Sequence, residues 1–400
     1  MIRWIKNNGL GLALTIAVVI SIVCSGIIWL NPERTGGSFQ KANNDNSTQQ
    51  MSAQTLGNIY LPTQVVTTNS HGIQFLKYGQ RKNVVLTVRE AIERWGLSRM
   101  TTVRTNNSDV YLSYLRSPNS LMLSYPDRVP TEIFNSAFST DLNASRAPWI
   151  NHIVIPFDGS DSIYLMSDKN YAVYRARISS GSLSRLRNLA RGGNRIPVDY
   201  RIVNGSAVLM SRHSFRLPVY GYQVTTKSAD NLIQNLLSAT NLSSLNNRIN
   251  GNVTTYLSGA NRQVAYNHSL GTLTYQNFQS RNNDESTSEL FNNLYSRLNG
   301  IGADLENVRY DSFNEAHSII TYRSFVNGFP IYNNNGYGEF KMQSTKSGLE
   351  RYQLSVYSIQ VPLPINSAKV KLPSSTTVLD QLRQSGKYPG VRNMRIGYSW

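Results

Sequence analysis

Five histidines, His71, His152, His213, His268 and His317, are the residues best suited to acid–base work or metal binding near neutral pH. They are far apart, and none stands in a ligand spacing such as H-E-x-x-H, so each reads as a surface or loop residue. There is no G-x-S-x-G nucleophile elbow and no Walker loop. Gly336-Tyr337-Gly338 lacks the third glycine and the following helix of a dinucleotide fingerprint. Ser38-Phe39-Gln40-Lys41 has the S-x-x-K spacing of penicillin-binding enzymes, but it lies in a polar stretch and no Lys-Thr-Gly completes the set. Carboxylates number only 23 in 400 residues, and the close pair Asp284-Glu285 sits in a polar linker where nothing would raise a pKa. A carboxylate pair facing across a pocket, as glycoside hydrolysis needs, is the one enzymatic arrangement that sequence leaves open. The expectation is a non-enzyme with no catalytic residues, no cofactor and no metal.

The elements that would position any site begin with Gly9 to Leu30, 22 residues without a charge. At ~1.5 Å rise per residue such a helix spans a hydrocarbon core of ~30 Å. Arg3 and Lys6 precede it and no further charge appears until Glu33 and Arg34, which favours a cytoplasmic tail (residues 1–8) and an outside location for the rest. A cleaved signal peptide would have a shorter apolar region ending in small residues. Val23 before Cys24 is too bulky for a lipid-attachment site. The stretch therefore reads as an uncleaved single-pass anchor in the cell membrane.

Within it Gly9, Ala13, Ala17, Ser21 and Ser25 recur every fourth residue, a ladder of small side chains that lets another helix approach closely. Each step of four advances ~40° around a straight helix, so one partner touches about three rungs, with Ala13, Ala17 and Ser21 at the centre. These residues are the candidate contacts to membrane partners.

Net charge is +17, and setting aside Arg3 and Lys6 leaves +15 outside the membrane. Such a field attracts anionic headgroups or wall polymers, whereas nucleic acid is not expected outside a cell. The plain alternative is a surplus spread over the surface, and no run of five like charges argues against that. Hydrophobic residues make up 40%, with 23 Tyr and 12 Phe, enough for packed cores rather than a disordered stalk. The single cysteine lies in the anchor, so the outer part has no disulfides.

After the anchor, residues 31–55 are rich in Asn, Ser, Thr and Gln and read as a flexible tether. A first α+β domain is expected over 56–192. In it Thr87-Val88-Arg89-Glu90 reads as a capping box, followed by the face Val88, Ala91, Ile92, Trp95 and a stop at Gly96. Asp109 to Leu112 and Ser120 to Leu123 read as strands, with a helix after Thr131. Further strands follow near Ile153, Ser162 and Tyr171, then a short helix over Leu183 to Leu189. Gly192-Gly193 marks a boundary. A central α+β domain follows over 193–283 and a C-terminal one over 284–400. Tyr200 to Gly205 and Tyr322 to Gly328 share a Tyr-Arg…Val-Asn-Gly pattern, and Asn-Gly between apolar runs predicts a two-residue hairpin. The parallel suggests a duplicated α+β unit. The chain stops at Trp400 inside a strand-like run from Met394, which leaves the completeness of the last strand open. The fold class is thus α+β: one transmembrane helix and a multidomain extracytoplasmic region of antiparallel sheets and helices.

One membrane pass, a tether, a long disulfide-free region of several α+β units and the hairpin Tyr322-Arg323-Ser324-Phe325-Val326-Asn327-Gly328-Phe329-Pro330-Ile331 together resemble the YycH family. The resemblance implies an extracytoplasmic regulator of Gram-positive, low-GC bacteria that joins the related single-pass protein YycI. The pair would act with the membrane sensor kinase WalK (YycG) on a two-component system for cell-wall metabolism. It implies no catalytic residues, and contacts made largely through transmembrane helices, which here match Gly9 to Leu30. The first expectation is therefore a non-enzymatic regulator of that kinase. The alternative is a cell-surface module that binds anionic wall polymer through its basic ectodomain.

Overall fold

The structure is a computed structural model that describes residues 55–78, 81–179, 186–188, 192–279, 285–359, 363–386, 390–391 and 393–399. The anchor, the ladder Gly9, Ala13, Ala17, Ser21, Ser25 and the tether lie outside the described residues. Among the described residues no helix is long and apolar enough to cross a membrane.

Alternating apolar residues pair into two large antiparallel sheets, as an α+β chain requires. The first holds nine described strands: β1 (Gln64–Thr68), β2 (Gln74–Tyr78), β3 (Leu97–Arg104), β4 (Ser120–Pro130), β5 (Trp149–Pro156), β6 (Ser162–Ser167), β7 (Ala172–Ile178), β8 (Asn194–Val203) and β9 (Ser206–Ser211). Their order is β3-β7-β6-β5-β4-β1-β2-β8-β9. A ribbon strand β10 (Phe215–Gly221) and a short β11 (Val224–Thr226) lead to the second sheet. That sheet contains β12 (Asn246–Asn250), β13 (Val253–Ser258), β14 (Arg262–Asn267), β15 (Thr272–Asn277), β16 (Val308–Asn314), β17 (Ile319–Val326), β18 (Phe329–Tyr332), β19 (Glu339–Ser344) and β20 (Glu350–Ser355). Then β21 (Tyr357–Ile359) pairs with β11, β22 (Leu363–Leu372) pairs with β10, and β23 (Tyr398–Ser399) runs parallel to β18.

Strand pairing links segments on either side of the expected boundaries. Strands β8 and β9 follow Gly192-Gly193 yet complete the first sheet through β2, and β15 bonds to β20 across the expected break at 283–284.

Helices α1 (Leu56–Ile59), α2 (Arg81–Trp95), α3 (Ser108–Leu115), α4 (Thr131–Phe138), α5 (Ala229–Leu237), α6 (Thr287–Gly300) and α7 (Ser375–Gln384) cover the sheets. The face Val88, Ala91, Ile92, Trp95 of α2 is buried as expected, and Gly96 ends the helix at φ 64°. The capping box is a correction, because α2 starts at Arg81 and Thr87 lies inside it. The buried face continues upstream through Val84 and Val85, so burial outweighs the local signature. Asp109 to Leu112 is a second correction: it is helical. The Asn107 side chain accepts from the Val110 N–H at 2.9 Å and caps α3, while Tyr111 and Leu115, four apart, share its buried side. Of the helix expected over Leu183 to Leu189, only 186–188 are described, and they are helical. The strand expected from Met394 is reduced to Tyr398-Ser399.

Both Asn-Gly segments form two-residue hairpins, with φ of 48° and 83° at Asn204 and Gly205, and 48° and 86° at Asn327 and Gly328. Positive φ at both central residues is the type I′ geometry. The likeness ends at the turns: β8 also pairs with β2, whereas β17 is held between β16 and β19. Gly205→Val and Gly328→Val should each lower stability by about 1–3 kcal/mol, read by denaturant unfolding, because a β-branched residue tolerates positive φ poorly. Unchanged midpoints would remove this account of the turns.

One apolar cluster runs through both halves. It joins Val88, Ile92, Phe134 and Phe138 under the first sheet to Phe291, Leu294, Tyr310 and Tyr322 under the second. A second cluster on the other face of the first sheet contains Val66, Met122, Tyr111, Val154 and Phe329. Phe329 enters it from the Asn327-Gly328 hairpin.

Candidate functional site

The central site lies on β4, β5 and β8, at the end of the first sheet that meets the second. Ser124 and His152 are direct cross-strand partners on one face, and Tyr200 reaches them from β8. His152 Nδ1 lies 2.8 Å from Ser124 Oγ, and its Nε2 lies 3.1 Å from Asp168 Oδ1. Tyr111 donates its hydroxyl to the same Asp168 oxygen, and Asp168 N–H donates to Asn151 Oδ1 at 3.0 Å. The Tyr200 hydroxyl sits 3.2 Å from Ser124 Oγ, and its ring stands edge-on to the imidazole. Burial first, and then the Asp168 carboxylate, push the Tyr111 hydroxyl well above its ordinary range.

This corrects the expectation that every histidine is a surface or loop residue: His152 is 4% exposed and fully engaged. The signal that could have found it is local. His152 interrupts Trp149-Ile150-Asn151-His152-Ile153-Val154-Ile155, a run apolar enough to be buried on both faces, where a polar ring needs partners.

Ser124, His152 and Asp168 are the residue types of a hydrolytic triad in hydrogen-bonded order, but the geometry serves packing. Ser124 is 1% exposed, and its hydroxyl is shared with Tyr200. It sits in a strand flanked by β1 and β5, so its backbone donors serve the sheet and not an oxyanion.

In front of this cluster opens a cleft of about 430 Å³, lined among others by His152, Asp168, Lys169, Asp127, Arg128 and Arg395. Its rim is charged in both signs. Arg128 Nη2 lies 2.5 Å from Glu315 Oε2, Lys169 Nζ lies 3.7 Å from the same oxygen, and the Arg128 guanidinium stacks over Trp149. Burial opposes the Glu315 charge, but Arg128 and Lys169 prevail and hold its carboxyl below the usual range. Asp127 goes the other way: burial raises it against the N–H groups of Phe313 and Arg128. Such a rim can hold a small polar ligand by hydrogen bonds. Among the described residues no group of three or more His, Cys, Asp or Glu could hold a metal.

Arg395 of the cleft lining belongs to a chain of ion pairs that reaches the Tyr322–Ile331 hairpin. Arg323 Nε reaches Asp311 Oδ2 at 3.1 Å and its Nη2 pairs with Glu339, which Lys341 also meets at 2.6 Å. Arg395 Nη1 reaches Asp311 Oδ1 at 2.9 Å, and its Nη2 donates to the Pro126 carbonyl of the first sheet. Tyr322 and Tyr60 share a buried 2.7 Å hydroxyl contact, and Asn327 Nδ2 donates to the Tyr220 hydroxyl. Phe329 lies against Tyr78 and Tyr398. Tyr322, Asn327 and Phe329 of this segment therefore each meet a part of the chain that is distant in sequence.

The comparisons agree with this layout. The sequence model described as YycH protein, N-terminal domain, matches residues 9–191, and that for the YycH protein C-terminal domain matches residues 206–400. Among solved structures, the crystal structure of YycH from Bacillus subtilis aligns with a TM-score of 0.71 at 15% identity, over 87% of this chain and 93% of that one. No curated protein matches the sequence significantly. With both halves matched by its domains and the same fold across nearly the whole length, the chain belongs to the YycH family.

Proposed function

We propose that this protein is a non-catalytic regulator of the sensor kinase WalK (YycG), within a two-component system that governs cell-wall metabolism. The observation that carries this reading is the family match over 9–191 and 206–400. The internal bonding of Ser124, His152 and Asp168 supports a regulator over a hydrolase, since this triad-like grouping is occupied with packing. In this reading Gly9 to Leu30 is a single-pass anchor with a cytoplasmic N-terminus. The bulk of the chain stands outside, and the related protein YycI and the kinase meet it through membrane helices.

The test uses the full chain in membranes. Ala17→Ile adds bulk at the central rung of Gly9, Ala13, Ala17, Ser21 and Ser25 while keeping the helix apolar. It should weaken crosslinking to the kinase and to YycI and blunt the effect on kinase output, whereas Val18→Ile, one step round the helix, should do neither. Equal capture and equal signalling by both variants would sink the transmembrane route.

A further inference from the structure

We propose that the β8–β10 corner, with the β22 strand paired to it, is a binding surface for a soluble phosphodiester polymer. Three guanidiniums converge on one carboxylate there. Asp199 Oδ1 lies 3.1 Å from Arg116 Nε and 3.9 Å from Arg212 Nη2, and Oδ2 lies 3.6 Å from Arg201 Nε. The surplus of two positive charges is not evenly committed. Arg116 is held by the fold, because it donates to the Tyr200 carbonyl, at the end of β8 that β2 does not reach, and so finishes the sheet. Arg201 and Arg212 sit beyond hydrogen-bond range of Asp199, with side chains 51% and 43% exposed. Asp199 gathers the three forks, and the two outer ones keep donors directed at solvent.

The surplus continues along the neighbouring ribbon. Arg216 of β10 stands directly opposite Lys371 of β22, and Pro218 stands opposite Lys369. Like charges in direct cross-strand register destabilise a ribbon unless a counter-charge is supplied. None comes from these segments, because residues 200–229 and 361–379 contain no Asp or Glu. The two patches are held together as well. Ser211 and Ser375 exchange hydrogen bonds of 2.9 Å, which fixes the start of α7, a helix with no acidic residue in its first turn, beside Arg212. The positive end of that helix adds to the same field.

A row of single positive charges ending in a fan of arginines matches a chain with one negative charge per repeat. Guanidinium forks fit phosphate oxygens at the fan. Arg216, Lys369 and Lys371 alternate with Leu217, Val370 and Leu372, so the three cations share one face of the ribbon, while Val370, 52% exposed, lies on the other. This assignment stands apart from the kinase reading, which depends on the membrane helix.

The experiment follows fluorescence anisotropy of labelled poly(glycerol phosphate) with the full chain in neutral detergent. Binding should weaken steeply with added salt. Arg201→Ala/Arg212→Ala should weaken it about tenfold or more, and Lys369→Ala/Lys371→Ala by a smaller factor. Arg248→Ala/Arg351→Ala, exposed cations on the second sheet, should leave it unchanged. Three results overturn the proposal: no binding at low salt, an equal loss in the Arg248/Arg351 control, or tighter binding to poly-glutamate or phosphatidylglycerol vesicles than to the phosphodiester polymer. The first would leave the kinase reading untouched, since that reading is scored by crosslinking in membranes.

Discussion

Raising the pH above about 10 should unfold this protein within one to two pH units, with tyrosine ionisation and loss of secondary structure coinciding. Tyr60, Tyr111, Tyr125, Tyr200, Tyr310 and Tyr322 are each at most 4% exposed. Burial is the leading cause that pushes every one of their hydroxyls up, and the Tyr322 neighbour adds to it at Tyr60, Asp168 at Tyr111 and Asp127 at Tyr310. A group whose folded pKa is raised keeps its full contribution below the unfolded value and loses it as the pH climbs toward the folded one. The unfolded chain gives up these protons near pH 10 and the folded chain does not, so the window opens there. One unit above it, each tyrosine costs ~1.4 kcal/mol, or about 8 kcal/mol for six. Against a typical total of about 5–15 kcal/mol that is decisive. Circular dichroism and tyrosinate absorbance, recorded together, test it. Gradual ionisation of all tyrosines around pH 10 with the fold intact would contradict the burial assigned to these six.

The second large effect is expected from Asp311→Ala. Asp311 is 4% exposed and carries both Arg323, at 3.1 Å, and Arg395, at 2.9 Å. Its removal leaves Arg323 with Glu339 and Arg395 with the Pro126 carbonyl, in a place where water cannot compensate fully. Breaking a buried pair from one side costs about 3–5 kcal/mol. The comparison is Lys169→Ala, whose partner Glu315 is 3.7 Å away and 53% exposed, for which the expected change is within about 1 kcal/mol. Denaturant unfolding of both variants gives the contrast. If Asp311→Ala costs no more than Lys169→Ala, the ion-pair chain is incidental to the joint between the sheets.

The family hairpin shows how sequence and tertiary structure divide the information. Asn204-Gly205 and Asn327-Gly328 were legible because a type I′ turn depends on two adjacent residues that tolerate positive φ. The buried face of α2, the helix after Thr131 and the strands around Ile153, Ser162 and Val173 were legible for a similar reason. Side-chain period along a strand or helix is a property of neighbours in the chain. The same local reading failed at Asp109 to Leu112, where a short apolar run fits either period and the Asn107 cap decides.

Nothing local announces that His152 meets Asp168 and Ser124, that Asp311 holds Arg323 and Arg395, or that Ser211 meets Ser375. Sheet order brings those residues together, and it is set by burying all the apolar faces at once and not by any one segment. The order that places β8 and β9 on the far side of β2, after an insertion of more than a hundred residues, leaves no periodic trace in the chain. The sequence by itself determined the α+β class, the two Asn-Gly turns, the buried face of α2 and the family. Only the tertiary structure decided the polar contacts, because each joins side chains whose separation in the chain carries no information about their distance in space.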